Sequence, residues 1–260
     1  MIKIAFRYLM YKLFAPHRKG FGVHSPFVFH LVSRVFTRED DENLKDIKVW
    51  RNELSANHHK LTTADLGAGS IVHIGKDRKI SRIVRNSSIS HKFGRILYAL
   101  VNEFKPAIII ELGTGIGIST AYLAKACPES HVISVEGDRG KMDFAIKSIE
   151  LLGLKNVSFR NGSFKDVLPG LIRDSVQPLL VFIDGDHSYK GTMEYFTEII
   201  TSVNSETVII FDDIRWSPDM EKAWNEIRQY QEVKISVDLF FMGIVFFREG
   251  VFKQDFVINF

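Results

Sequence analysis

The chain has 260 residues, a length that suits one large α/β domain with an appendage, and 45% of its residues are hydrophobic, as in globular proteins. Its single cysteine, Cys127, excludes a disulfide framework and a cysteine-rich zinc site. Because no apolar stretch approaches the roughly 18 to 20 residues of a membrane-spanning helix, we expect a cytoplasmic protein.

The positive charge is concentrated at the start of the chain. The formal net charge is +3, but residues 1–38 contain seven Lys or Arg residues and no acid, so the rest of the chain is slightly acidic. Residues 1–14 place basic residues among large apolar ones, as in an amphipathic helix. Three interpretations of this arm stay open: a helix packed on the main domain or on a second subunit, a lid over a substrate site, or a peripheral membrane contact through residues 1–19. A homodimer is among the assemblies that this leaves open.

Residues 39–90 are polar and less regular. Residues 65–70 imitate a nucleotide-binding glycine turn, but the segment before them is too short and polar for a central strand. We therefore expect residues 65–80 to form a loop, either mobile near an active-site mouth or plainly on the surface. The predicted division is a basic helical arm with a lid or substrate region over residues 1–90, followed by a ligand-binding domain over residues 91–260.

From residue 91 onward, helices and apolar strands alternate. Helices are predicted at 92–104, 118–126, 139–152, 164–173, 188–203 and 218–230; strands are predicted from residue 108 and at 131–136, 156–160, 178–184 and 206–212. Such alternation specifies a parallel sheet with helices on both faces. Two last strands, at 232–239 and 241–247, have almost no chain between them and must form a hairpin. The predicted fold class is α/β, an open, mostly parallel, seven-stranded sheet with a C-terminal antiparallel hairpin and an N-terminal, mainly helical extension.

The most informative motif is the apolar strand that contains Glu111 and runs into three alternating glycines. Glycine has no Cβ to hold a small molecule off the backbone, and the free N–H groups of the helix beginning near Ser119 favour a carboxylate or phosphate. The next strand also ends in an acid, Glu136, which can accept both hydroxyls of a ribose. A dinucleotide fingerprint would need glycine where the chain has Ile118. The predicted cofactor residues here are Glu111, Gly113, Thr114, Gly115, Gly117, Ser119 and Glu136.

Three more acids follow the ends of later strands. Asp184 follows the strand at 178–184, and Asp212 and Asp213 follow the strand at 206–212. Ligands of open α/β sheets bind beyond the carboxyl ends of the strands. If the two strands are neighbours, their acids share one rim, and converging carboxylate oxygens suit Mg²⁺ or another hard divalent ion.

The glycine pattern after Glu111 resembles motif I of the class I S-adenosylmethionine (SAM) methyltransferases, and the segment around Glu136 resembles their acidic second motif. A reversed terminal hairpin is also how that fold ends, so the resemblance spans about residues 92–249. It implies an enzyme with SAM as its cofactor. Residues 161–164 resemble the segment beside the adenine and imply contacts from Gly162 and Ser163, although Ser163 suits the N-cap of the following helix equally well.

Asp184 and the pair Asp212 and Asp213 resemble the metal ligands of the divalent-metal-dependent O-methyltransferases, the catechol and caffeoyl-CoA type. That family usually has Asp-Asn at the second site, so the Asp-Asp of this chain keeps an oxygen ligand but adds a charge. Some members carry a lysine base where this chain has His187. The resemblance implies that Asp184 serves cofactor, metal and catalysis, and that His187 removes the proton of a metal-bound hydroxyl.

Each of these roles has a structural alternative. His187 suits a helix N-cap or a solvent-facing position, and Asp212 and Asp213 suit helix capping and packing near the adenosine pocket. The leading hypothesis is O-methylation of a small hydroxylated molecule with divalent-metal assistance. The alternatives are a metal-independent SAM methyltransferase acting on nitrogen or a macromolecule, and a non-catalytic SAM- or nucleotide-binding module with a docking arm. Nucleic acid is disfavoured as a partner because basic charge is concentrated in the first 38 residues.

Overall fold

The computed structural model describes residues 2–18, 20–38, 42–63 and 76–259. Most of the loop predicted at residues 65–80, with the glycine turn at 65–70, lies outside these residues. The helices are α1 (Ile2–Phe14), α2 (Pro26–His30), α3 (Lys45–Ala56), α4 (Ile80–Ser87), α5 (His91–Phe104), α6 (Ile118–Ala126), α7 (Arg139–Leu151), α8 (Phe164–Arg173), α9 (Tyr189–Ile199) and α10 (Pro218–Ile227). A π-helical turn, Leu31–Val35, continues α2, and a 3-10 turn, Ile200–Ser202, continues α9.

The strands form one large sheet and a separate two-stranded ribbon. They are β1 (His17–Arg18), β2 (Lys60–Thr63), β3 (Lys76–Lys79), β4 (Ile108–Leu112), β5 (His131–Glu136), β6 (Val157–Asn161), β7 (Leu179–Ile183), β8 (Val208–Phe211), β9 (Ile235–Asp238), β10 (Gly243–Phe246) and β11 (Gln254–Asn259). The large sheet has the order β1-β11-β9-β10-β8-β7-β4-β5-β6. β10 runs antiparallel to β8 and to β9, and the other pairs are parallel.

This topology confirms the predicted fold class, including the reversed hairpin of β9 and β10. The sheet is wider than predicted, because the described strands add β11 beside β9 and β1 beside β11 to the seven expected ones. β1 has only two residues, too few to show an alternating pattern.

Two features of the sequence explain why the sheet's carboxyl edge is well defined. The central strands β4, β7 and β8 consist almost entirely of buried aliphatic and aromatic residues, as expected for parallel strands covered on both faces. Three helices that follow this edge, α7, α8 and α9, begin at side chains that accept a backbone N–H of the first turn: Asp138, Ser163 and Ser188. Rigid strands and capped helices therefore fix the loops between them.

Hydrophobic cores lie on both faces of the sheet. One face packs against α5 and α6, and the same core takes in Val28, Ile47 and Ile83 from α2, α3 and α4. The opposite face packs against α8, α9 and α10. Residues before position 91 thus share a core with the sheet, and the division into two regions at residue 90 stays a prediction.

Helix α1 packs against the edge of the sheet. The Tyr8 ring contacts the rings of Phe240 and Phe241 at centroid distances of 5.1 and 5.5 Å. The Tyr11 hydroxyl donates to the Ile258 carbonyl, and Lys12 Nζ donates to Asn259 Oδ1 at 2.8 Å. The structure therefore contains α1 packed on the main domain, and its interpretation as a lid over a substrate site stays a prediction.

The outward face of α1 is apolar. Five large side chains there are between 40% and 69% exposed: Phe6, Leu9, Met10, Leu13 and Phe14. Within the described part of the chain, no helix is long and apolar enough to cross a membrane. Contact of this face with a lipid surface or a second subunit stays a prediction.

Candidate active site at the carboxyl edge of the sheet

The predicted glycine turn lies at the carboxyl end of the central strand. β4 pairs with β5 on one side and β7 on the other, and residues 113–117 connect it to α6. Gly113, Gly115 and Gly117 have φ angles of 112°, 55° and 89°, values that glycine adopts far more readily than other residues. The backbone conformation therefore explains why glycine alternates here.

The three glycines accommodate different neighbours. A Cβ on Gly113 would lie 1.9 Å from the backbone oxygen of Asp184, and one on Gly117 would lie 3.2 Å from the Ala145 Cβ. A Cβ on Gly115 would meet no described atom within 4 Å. The expectation that the missing Cβ lets a small molecule approach the backbone thus fits Gly115. At Gly113 and Gly117 the missing Cβ instead allows the turn to pack against neighbouring protein atoms.

Glu136 connects this turn to the end of the neighbouring strand. Its Oε2 accepts the N–H of Gly115 at 2.8 Å, and its Oε1 accepts the N–H of Asp138 at 2.9 Å. Burial raises the pKa of Glu136, while the charge of Lys141 and the two backbone N–H groups oppose that rise. Each carboxylate oxygen retains a second lone pair, so Glu136 can still accept hydroxyl hydrogen bonds.

Glu111 lies fully buried beneath the turn. Its Oε2 accepts hydrogen bonds from the Thr120 and Ser134 hydroxyls, both at 2.5 Å. Its Oε1 is buried and has no hydrogen-bond partner among the described residues. Burial raises the pKa of Glu111, and hydroxyls including that of Ser119 oppose the rise. Glu111 therefore ties α6 to β5 and leaves one buried acceptor without a partner among the described residues.

Three other predicted cofactor residues have clear structural roles. Ser163 is the N-cap of α8, because its Oγ accepts the N–H of Asp166 at 3.3 Å. A Cβ on Gly162 would lie 2.8 Å from Val167 Cγ2, so this glycine allows close packing against α8. The Thr114 hydroxyl lies 2.5 Å from that of Ser134 and is buried. The side chains of Thr114 and Ser163 therefore already have partners within the protein.

The three predicted aspartates lie at the ends of the adjacent strands β7 and β8. The N–H of Asp184 donates to the Leu112 carbonyl at 2.8 Å, and that of Asp212 donates to the Ile183 carbonyl at 2.9 Å. Asp213 follows with a φ angle of 54°, unusual for a residue with a side chain. The backbone thus brings the three acids to one rim beside the glycine turn.

These acids are partly buried and repel one another. Burial raises the pKa of Asp184 well above its usual value, and the charges of Asp212 and Asp213 raise it further. Burial and the charge of Asp213 raise the pKa of Asp212 to about 8. Burial also raises the pKa of Asp213, while His187 lowers it. A positive ligand at this rim would relieve the repulsion.

The rim is not a preformed coordination shell. Among the residues that the structure describes, no three His, Cys, Asp or Glu side chains are grouped so that they could hold a metal ion. The carboxylate oxygens of Asp184, Asp212 and Asp213 nevertheless match the donors that hard divalent cations prefer. The chemistry of the donor set fits such an ion, but the side chains would have to rotate to enclose it.

His187 lies next to this rim. Its Nε2 is 3.8 Å from Asp184 Oδ1. Ser188, rather than His187, is the N-cap of α9, and Ser217 is the N-cap of α10. The capping alternatives for His187, Asp212 and Asp213 therefore do not apply to these helices.

A cavity of 530 Å³ opens beside Asp213. Its walls are largely aromatic and come from three parts of the chain: Tyr8 and Tyr11 on α1, Phe93 on α5, and Trp216 and Phe241 in the loops beyond the sheet. Lys12 and Lys92 also line it. Pockets of this size and apolar character are typical of small-molecule sites.

The sequence assigned none of these individual lining residues on α1 and α5 to a site, although it left open that the N-terminal arm forms a lid over a substrate site. One signal was available for Lys92 and Phe93. A helix that precedes a parallel strand and packs along it begins near that strand's carboxyl end, where ligands bind. No comparable signal exists for Tyr8 and Lys12, because their position depends on how α1 docks.

Comparison with known proteins agrees with this architecture. Residues 110–214 match a family model described as a methyltransferase domain. The chain is 32% identical to a catechol O-methyltransferase of Niastella koreensis over 130 residues, which are 49% of this chain and 58% of that protein. It is 32% identical to a human transmembrane O-methyltransferase over 173 residues, 65% of this chain and 56% of that protein. The chain thus spans less than two thirds of each of these relatives.

Solved structures show the same fold at low sequence identity. An O-methyltransferase from Bacillus cereus in complex with S-adenosylhomocysteine (SAH) superposes with a TM-score of 0.55 at 21% identity, covering 85% of this chain and 97% of that one. An O-methyltransferase of Streptomyces achromogenes involved in tomaymycin synthesis, in complex with SAM, gives a TM-score of 0.56 at 19% identity, covering 85% and 95%.

Proposed function

We propose, from the match of residues 110–214 to a methyltransferase-domain model and from the class I fold, that this chain is a SAM-dependent O-methyltransferase acting on a small hydroxylated molecule. One observation carries the proposal. The glycine turn and the aspartate rim are in direct backbone contact, since the Cβ position of Gly113 is filled by the backbone oxygen of Asp184. A cofactor bound at the turn would therefore lie next to the acids and the cavity.

Three groups would bind SAM. The open backbone at Gly115 and the first turn of α6 at Ser119 would receive the amino-acid carboxylate, because helix N-termini favour anions. The unpartnered Oε1 of Glu111 would accept the ammonium group. Glu136 would accept the ribose hydroxyls, and its bond to the Gly115 N–H would hold the two parts of the site in register.

The chemistry needs an aligned acceptor and a base. In the transfer, the acceptor oxygen forms a bond to the methyl carbon, the carbon–sulfur bond breaks, and the sulfonium becomes the neutral thioether of SAH. The acceptor's proton would go to His187, whose Nε2 lies 3.8 Å from Asp184 Oδ1. A divalent ion such as Mg²⁺, held by Asp184, Asp212 and Asp213, would lower the pKa of the acceptor hydroxyl.

Calorimetry with SAM and SAH tests the cofactor proposal. We expect saturable binding to the full chain and at least a tenfold loss of affinity in Glu136→Gln, because the amide weakens acceptance from the ribose and from Gly115. The matched control is Glu150→Gln, an exposed glutamate of α7, with unchanged affinity. Absence of binding by the unaltered protein would contradict the proposal.

The metal part of the proposal needs a separate test. We expect Mg²⁺ to bind with a stoichiometry near one, to raise the thermal midpoint, and to be required for turnover of a catechol probe. Asp184→Asn should lose all three effects, whereas the exposed Asp174→Asn should keep them. Turnover that survives both a chelator and the Asp184→Asn substitution would refute the proposal that a metal ion is required.

A metal-independent methyltransferase is the second candidate function. It is favoured by one observation, that the described acids do not form a ready coordination shell. In that case His187 and Asp184 alone would remove the acceptor's proton. The chelator experiment separates the two candidates, because the metal-independent enzyme keeps its turnover.

A further inference from the structure

The cavity beside Asp213 has two properties that the transfer of a methyl group does not require. The first is its aromatic lining. Tyr8, Phe93, Trp216 and Phe241 border it, and Phe93 and Phe241 contact each other edge to face, with ring centroids 6.2 Å apart. Such walls favour a flat ring, which stacks on them or meets their edges.

The second property is a pair of lysines from different elements. Lys12 lies on α1 and Lys92 on α5, and both line the cavity. Lys92 is exposed on its solvent side, and partial desolvation together with the charge of Lys12 lowers its pKa. Asp213 is the one carboxylate among the described lining side chains, and it belongs to the aspartate rim. An anion is therefore favoured at the lysines rather than at the rim.

The Lys12 ammonium is held in place from the protein side. It donates to Asn259 Oδ1 at 2.8 Å and lies 5.6 and 5.9 Å from the ring centroids of Tyr8 and Tyr11. A cation fixed by such contacts loses little freedom when it binds a ligand. One end of the cavity therefore carries the ammonium group of Lys12 in a fixed position. The other end, at Asp213, is part of the proposed reaction centre.

We propose that this cavity binds an aromatic hydroxyl compound that carries a carboxylate, with the carboxylate between Lys12 and Lys92 and the hydroxyl toward Asp213. The inference rests on the proposed function for the direction of the hydroxyl, but the anion site is a property of the cavity itself. A carboxylate suits this apolar site better than a phosphate dianion, because desolvation costs rise steeply with charge. Lys12 and Lys92 thus act as specificity-determining residues.

Direct binding of two isosteric probes tests the inference. We would titrate the full chain, with and without saturating SAH, with 3,4-dihydroxybenzoate and with the neutral 3,4-dihydroxybenzamide. We expect the benzoate to bind at least tenfold more tightly than the amide. In Lys12→Met and in Lys92→Met the preference should fall below threefold, and Lys92→Arg should retain it. The control is Lys147→Met, an exposed position on α7, and thermal midpoints verify that each variant is folded.

The outcomes separate the two proposals. Equal affinities of the unaltered protein for the two probes, or a preference that survives in both methionine variants, would overturn the anion site. A protein that prefers the benzoate but does not bind SAH would support the anion site and refute the proposed methyltransferase. With turnover, the methionine variants should raise KM for the benzoate by at least tenfold with kcat within twofold, and should leave KM for the amide unchanged.

Discussion

The loop that carries Asp213 is held by a buried ion pair, which gives a sharp prediction. Arg215 Nη1 and Nη2 donate to the two carboxylate oxygens of Asp238 at 2.5 and 2.6 Å, and the side chains are only 18% and 3% exposed. Asp238 also accepts from the Trp224 indole at 3.2 Å and from the Phe240 N–H at 2.9 Å. This network fastens the loop after β8 to the turn between β9 and β10.

Replacing Arg215 with alanine should destabilise the protein strongly. The change leaves the Asp238 carboxylate buried with two neutral donors, and removing one partner of a buried pair costs about 3–5 kcal/mol. For a chain of this size each kcal/mol corresponds to about 2–4 °C, so the thermal midpoint should fall by about 6–20 °C. Because Asp213 lies two residues earlier, affinity for acceptor probes should fall as well.

Urea denaturation followed by fluorescence measures this free energy. The control is Arg139→Ala, which removes an i,i+4 pair with Asp143 whose side chains are 70% and 49% exposed and should cost at most about 1 kcal/mol. The double variant Arg215→Met with Asp238→Leu should lose less than Arg215→Ala, since no unpaired charge remains. A loss below about 1 kcal/mol in Arg215→Ala would refute the buried pair as the support of this loop.

Three further predictions concern the turn, the rim and the arm. Gly113→Ala should abolish SAH binding and lower the thermal midpoint strongly, because its Cβ would overlap the Asp184 carbonyl. Gly115→Ala has free space but a positive φ, so it should fold with a smaller loss of stability and lose SAH affinity in calorimetry. Because the pKa of Asp212 is raised to about 8, the folded protein holds a proton there that the unfolded chain has released. This contribution to stability is complete below about pH 4 and is lost as the pH rises to 8. The variant Asp212→Asn should therefore flatten the decline of the thermal midpoint between pH 5 and 8.5. Deleting residues 1–19 removes a wall of the cavity and should raise the KM for the acceptor without changing the affinity for SAH. If turnover is instead unchanged and the protein no longer sediments with anionic vesicles, the arm is a membrane contact.

The sequence alone determined the class of fold and the place of the glycine turn. Both follow from local sequence patterns. Unbroken apolar runs such as 178–184 predict strands buried on both faces, the alternation of helices and strands predicts a parallel sheet, and the short link before residue 241 requires a hairpin. The acids at strand ends were also predictable, because parallel strands present their carboxyl ends at one edge.

Only the tertiary structure decided what these residues contact. Glu111 accepts hydrogen bonds from Thr120 and Ser134, and the backbone oxygen of Asp184, at the end of another strand, occupies the place of a Cβ on Gly113. These contacts depend on the tertiary arrangement of separate strands and helices. The same is true of the cavity, which Lys12 and Lys92 both line because α1 packs on the sheet edge through contacts with Phe240, Phe241 and Asn259. The local hydrophobic periodicity determines which face of a helix or strand is buried, but long-range packing determines which other element covers that face. The candidate acceptor site depends on this packing.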